Sequence, residues 1–171
     1  MKTFAAIALG LGLAVAAPGG PARAQALGFE QARLCVHLGS AINDFQLAIA
    51  SIRAPILAGR TTDVSFAARV DTLTATAKRF DLLFEEARFL LPVSTIDAQL
   101  PRAESDGSSH FGQLETAWSI ADLEVGQVVA LHARKADLSQ AGDNLRKLAD
   151  LLGNPLDLQK ACSNLFLGST P

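Results

Sequence analysis

The stretch that decides the fold is CVHLGSAINDFQLAIASIRAPI, residues 35–56. Its apolar positions are Cys35, Leu38, Ile42, Phe45, Ile49, Ile52 and Ile56. They are spaced by alternating threes and fours. A helix turns once in 3.6 residues, so this spacing lays one apolar stripe along one face. A half-buried strand would alternate with period two instead. Leu34, Ala41 and Ala48 lie beside the stripe and widen it, as a globular core requires.

The same rhythm recurs three times downstream. Phe66, Val70, Leu73, Ala77, Phe80, Phe84, Ala87 and Leu91 form a second seam, widened by Leu83 and Leu90. Phe111, Leu114, Trp118, Ala121, Val125, Val128 and His132 form a third, widened by Val129 and Leu131. Leu138, Ala141, Leu145, Leu148 and Leu152 form a fourth, whose phase reaches Cys162. Stripes of this kind suit helices packed nearly parallel or antiparallel at about +20°. Tyr is absent, and Ala and Leu dominate, which favours helix over strand.

Punctuation separates the seams. Gly59-Arg60-Thr61-Thr62-Asp63 divides the first two, with Thr62 or Asp63 placed to cap the second helix. Pro55 is placed to kink or end the first. Pro92 follows the second seam at once. The connection 92–109 is long for a bundle, contains Pro101 and a Ser-Asp-Gly-Ser-Ser run, and has room for a short helical turn at Ser94–Asp97. The third and fourth seams are divided either at Asp137, which with Gln140 resembles a capping box, or at Gly142-Asp143. Gly153-Asn154-Pro155 interrupts the fourth, with Pro155 suited to open a new segment. The predicted helices are 28–57, 63–91, 109–135 and 138–167. Matched lengths predict an all-α, up-down-up-down antiparallel four-helix bundle. Cys35 lies near the start of the first helix and Cys162 near the end of the last, so an antiparallel pair brings them level. A Cys35–Cys162 disulfide joining first and last helices is therefore expected.

The segment before the first seam reads as an export signal. Met1 and Lys2 give a positive start, Phe4 to Ala17 is apolar, and Ala22-Arg23-Ala24 offers small residues for a signal peptidase. The apolar run is shorter than the roughly 20 residues of a membrane span. Cleavage after Ala24 leaves about 147 residues, Gln25 to Pro171, as a single domain. Cys35 is not a lipidation site, because a charged Arg33 precedes it. The expected location is the periplasm or the exterior of a bacterium, where two cysteines pair as a disulfide. No Cys-x-x-Cys occurs, which excludes a redox pair of that type and covalent c-type haem.

The formal charge is −2 for the whole chain and about −4 once Lys2 and Arg23 are removed. No basic face or basic run is present. Nucleic acid and anionic lipid are thus poor partners.

Three histidines are the candidate metal or proton-transfer groups. His132 holds a seam slot that the pattern reserves for an apolar side chain. Its plainer role is a helix-terminal histidine favoured by the negative end of the helix dipole. His37 lies off the first seam, on a solvated face. His110 lies at the start of the third helix, at the same end as His37, Asp81, Glu85 and Glu86. A metal could be drawn there, yet the Glu-x-x-His pair of a bundle di-metal centre is missing. Haem has no methionine ligand to use, since Met1 is the sole Met, and His37 and His132 lie toward opposite ends. Ser105, Ser108, Ser109, Glu104 and Asp106 surround His110, but no Gly-x-Ser-x-Gly elbow accompanies them. Trp118 in a seam slot is read as core. No catalytic residue, cofactor or metal is assigned. The expectation is a non-catalytic bundle that binds a protein or envelope partner, at the disulfide end beside the 92–109 connection. The rival expectation is a metal- or haem-binding bundle using His132 or the His37/His110 end.

Overall fold

The computed structural model describes residues 27–100 and 109–168, and these are helical with no strand among them. The export signal read in residues 1–24 lies outside the described residues, as do Ser105 and Ser108. Six helices follow in order: α1 Phe29–Leu57, α2 Val64–Leu90, α3 Val93–Asp97, α4 His110–Ala133, α5 Ser139–Leu151 and α6 Pro155–Leu167.

The first two seams are buried at every position. Helix α1 begins at Gly28, whose N–H donates to the Gln31 side chain at 3.1 Å. The amide of that same Gln31 donates to the Leu90 carbonyl at 2.8 Å, tying the start of α1 to the end of α2. Pro55 neither ends nor breaks α1, which runs on to Leu57. Proline has no N–H for the carbonyl four residues back. That carbonyl, of Ser51, accepts instead from the Arg69 guanidinium of α2 at 2.8 Å. Asp63 is the residue before α2, but its side chain makes no cap hydrogen bond.

The third seam needs a correction. Helix α4 buries His110, Phe111, Leu114, Ala117, Ala121, Val125 and Val128. Ala117 fills the core slot, and Trp118 is half-buried at its edge. The indole N–H donates to Asp81 at 2.6 Å, and the Arg88 guanidinium lies 4.7 Å from the ring centroid. Both partners sit at the helix surface, and a buried indole N–H needs an acceptor. Of the widening positions, Leu34, Ala41 and Ala48 are buried, while Leu90 and Val129 are exposed.

Of the connection 92–109, the described part up to Leu100 holds a short helix. Pro92 precedes α3, and Leu91, Ile96 and Leu100 are buried in the core. The α4–α5 break falls at Asp137 rather than Gly142. Lys135 takes a left-handed φ of 51°, and the Asp137 carboxylate accepts from the Ser139 N–H and hydroxyl at 3.0 and 2.6 Å. The partner is Ser139, not Gln140, so the expected capping box does not form. Gly142 is buried inside α5, with space for a Cβ limited by Ile56 of α1 at 3.1 Å. The interruption at Gly153 separates α5 from α6. Gly153 has φ +65°, and the Asn154 side chain accepts from the Leu156 N–H, with Pro155 in the first turn.

Packing is shared among neighbours. Helix α1 lies against α2, α5 and α6, and α4 lies against α2 and α5. Asp44 meets Arg79, and Gln46 donates to the Ala149 and Gly153 carbonyls. Phe84 stacks on Phe111, while Phe66 meets His132. Cys35 and Cys162 form a disulfide with Cα atoms 6.3 Å apart. No helix among the described residues is long and apolar enough to cross a membrane.

Candidate functional site

The three histidines occupy three different settings. His37 is exposed on α1 and lines a shallow pocket with Glu30, Gln31 and Glu86. His132 is half-buried in the last turn of α4, with its ring centroid 5.1 Å from that of Phe66. A pocket between it and Thr61, Lys135 and Leu138 carries a cation and no carboxylate.

His110 is the buried one, 8% exposed. It opens α4 directly after the Ser109 cap, whose hydroxyl accepts from the Gly112 N–H at 2.9 Å. Ser109 is thereby engaged as a helix cap. The next backbone N–H, of Phe111, donates to Asp97 of α3 at 3.0 Å. The imidazole lies over the α5–α6 turn, so close that a Cβ on Gly153 would stand 2.8 Å from its Cε1. Its Nε2 is buried and has no hydrogen-bond partner among the described residues. Burial pushes its pKa below the usual histidine value, and the nearby Asp97 and Asp157 carboxylates oppose that shift. The Glu124 carboxylate of α4 also has one buried oxygen without a partner.

The phase of the third seam points to His132, with His110 only beside the start of the helix. The signal for His110 was present. It lies four residues before Leu114, and the row 110-114-117-121-125-128 keeps the three-four spacing. That row also selects Ala117 over Trp118. A stripe phased from Phe111 passes over both.

No group of three or more His, Cys, Asp or Glu side chains among the described residues is placed to hold a metal ion. His37 faces Glu86 of α2, whereas His110 faces α3 and the α5–α6 turn. The structure therefore does not gather the His37/His110 end into one donor set. Asp81 is engaged by Trp118.

An apolar concavity lies elsewhere, at the disulfide. A groove of about 380 Å³ runs between α1 and α6. Phe29, Ala32, Arg33 and Val36 form one wall, and Cys162, Ser163, Phe166 and Leu167 the other. Phe29 is 68% exposed and Val36 45%. Around the same end, Phe89 and Leu90 at the close of α2 are 78% and 53% exposed. The wall on α1 repeats at 29, 32 and 36, which spans about two helical turns.

Compared with protein-family models, curated proteins and solved structures, the chain finds no match.

Proposed function

We propose that this protein is a non-catalytic, exported helical bundle that binds an amphipathic helix of a partner protein in the α1–α6 groove. In this reading α5 and α6 are one broken arm, and the four arms run up-down-up-down. The export signal before Gln25 would deliver the chain to the periplasm or the exterior.

The groove carries the proposal. Exposed apolar patches rimmed by polar groups mark interaction sites more often than scattered single residues do. This one is walled by two helices, and its wall residues recur at helical spacing over two turns. A partner helix with apolar side chains at i, i+3 or i+4, and i+7 would match that repeat. Cys162 lines the groove, and its bridge to Cys35 ties α6 to α1 there. The charge of the mature chain supports a protein partner over nucleic acid or anionic lipid.

The test is site-specific crosslinking in the cell envelope from a photoreactive residue at position 29 or 36. One discrete protein partner is expected from both sites. Phe29→Glu or Val36→Glu should abolish it in co-purification. Leu57→Glu and Val64→Glu, at the opposite end, should leave it. Capture that is indifferent to the groove substitutions would sink the proposal. A Soret band or a stoichiometric metal in the purified native protein would support the metal or haem reading in its place.

A further inference from the structure

We propose that His110 is an acid-sensitive latch: protonating it loosens the junction where α3, the start of α4 and the α5–α6 turn meet.

The ring packs on the α5–α6 turn, and carboxylates of α3 and α6 lie near it. Helix α4 supplies the ring, and the α5–α6 turn meets its Cε1 at Gly153, where an added Cβ would stand 2.8 Å away and the ring would have to shift. Helix α3 approaches through Asp97, which accepts from the N–H of the next residue, Phe111. Helix α6 approaches through Asp157 in its first turn. Gln46 of α1 holds the far side of the turn, donating to the Gly153 carbonyl at 2.6 Å. Displacing the ring therefore removes its packing on Gly153, beside the Phe111–Asp97 and Gln46–Gly153 hydrogen bonds that hold the same junction.

A charged imidazole is poorly served here. Both of its nitrogens would become donors, yet Nε2 is buried without an acceptor among the described residues. The ring sits in the first turn of α4, the positive end of the helix dipole, where a cation is disfavoured. Among the described residues, the charged groups that act on it are anionic, Asp97 from α3 and Asp157 from α6. From α1 the neutral Gln46 bonds the turn, and the turn itself offers Gly153. The carboxylates soften the cost without cancelling it, since burial remains the larger influence.

The sign follows from linkage. The folded state holds its proton less tightly than the unfolded chain, so the unfolded state binds more protons over the window between the two pKa values. Stability rises with pH across that window. It is lost as pH falls from the ordinary histidine value toward the depressed folded one.

Thermal melts of the mature protein from about pH 7 to about 5.5 test the proposal. The wild-type Tm should fall over that range. In His110→Phe, which keeps a flat ring against Gly153, most of that fall should disappear. His37→Asn and His132→Asn should keep it. Hydrogen exchange adds a local readout: on acidification, amides of α3 and of the turn at Gly153-Asn154 should open in wild type before those at mid-α1. An unchanged acid loss in His110→Phe would overturn the latch. If that variant does not fold, the C–H resonances of His110 in the wild type decide. A midpoint at or above the ordinary histidine value overturns the proposal, and one below it supports it.

Discussion

Pro55 leaves a carbonyl without its helical donor, and one side chain from the next helix answers it. Ser51 would normally accept from the N–H of residue 55, and proline has none. Arg69 of α2 donates to that oxygen at 2.8 Å from a half-buried position. The pairing explains why a proline is tolerated inside α1 and why an arginine stands on the inner edge of α2. It also makes a specific energetic claim. Arg69→Ala should cost about 1 kcal/mol, the scale of a hydrogen bond from a charged donor that is partly screened. In a Pro55→Ala background the backbone N–H returns and the carbonyl regains a local donor. Arg69→Ala should then cost less, by about 0.5–1 kcal/mol, in a double-mutant cycle read from urea midpoints. Equal costs in both backgrounds would show that Arg69 acts through something other than this carbonyl. Trp118 follows similar logic. An indole N–H in the core would lack an acceptor, so the ring moves to the helix edge, where Asp81 and Arg88 meet it and Ala117 fills the interior.

At the scale of elements, the turn between α5 and α6 shows how a short junction fixes a site. Gly153 combines a left-handed φ of +65° with the His110 ring packed on its face. Gly59, in the α1–α2 turn, has nearly the same φ of +66° but open space around it. Gly59→Ala should therefore cost only the backbone strain, about 1 kcal/mol. Gly153→Ala should cost more, about 2–3 kcal/mol, because the imidazole must also be displaced. Their difference, measured by denaturant unfolding, isolates the ring contact. If the two cost the same, the ring yields freely and His110 is not held by the turn. These junctions also mark what could be read in advance. The seams of α1 and α2 were legible because every slot holds an apolar residue and one phase fits all of them. Gly153 and Pro155 announced the last break by their backbone chemistry. The α4 stripe was misphased because its start carries a histidine, which apolar periodicity passes over. The approach of α3 and Gly153 to that histidine joins segments distant in sequence, and no local pattern encodes it. The groove is not encoded locally for a similar reason. Phe29 and Val36 lie off the first seam, so their meeting with α6 depends on the bundle closing.

For the molecule as a whole, the Cys35–Cys162 bridge links the first long helix to the last, 127 residues apart. Its Cα separation of 6.3 Å lies within the range that disulfides ordinarily span. An exported chain, as proposed above, meets conditions that let such a bridge persist. Closing so long a loop restricts the unfolded ensemble and contributes up to about 5 kcal/mol in the chain-entropy account. The remaining core is nonetheless extensive. All positions of the α1 and α2 seams are buried, and α4, α5 and α6 add their own stripes. A domain of this size can bury about 70% of its unfolded surface without any crosslink. Reduction should therefore weaken the fold without abolishing it. The urea midpoint should drop substantially on reduction, far-UV circular dichroism at low denaturant should stay helical, and Cys35→Ala with Cys162→Ala should match the reduced wild type. Oxidised protein unfolded in denaturant should show no reactive thiol. Two free thiols there would remove the bridge from the account. The folded, reduced state then separates two roles of the bridge. If it only stabilises, crosslinking from positions 29 and 36 should survive reduction wherever the protein is still helical. If it also sets the spacing of α1 and α6, the partner should be lost while the helical signal remains, because the bond that ties α6 to α1 is then what holds those two walls in register.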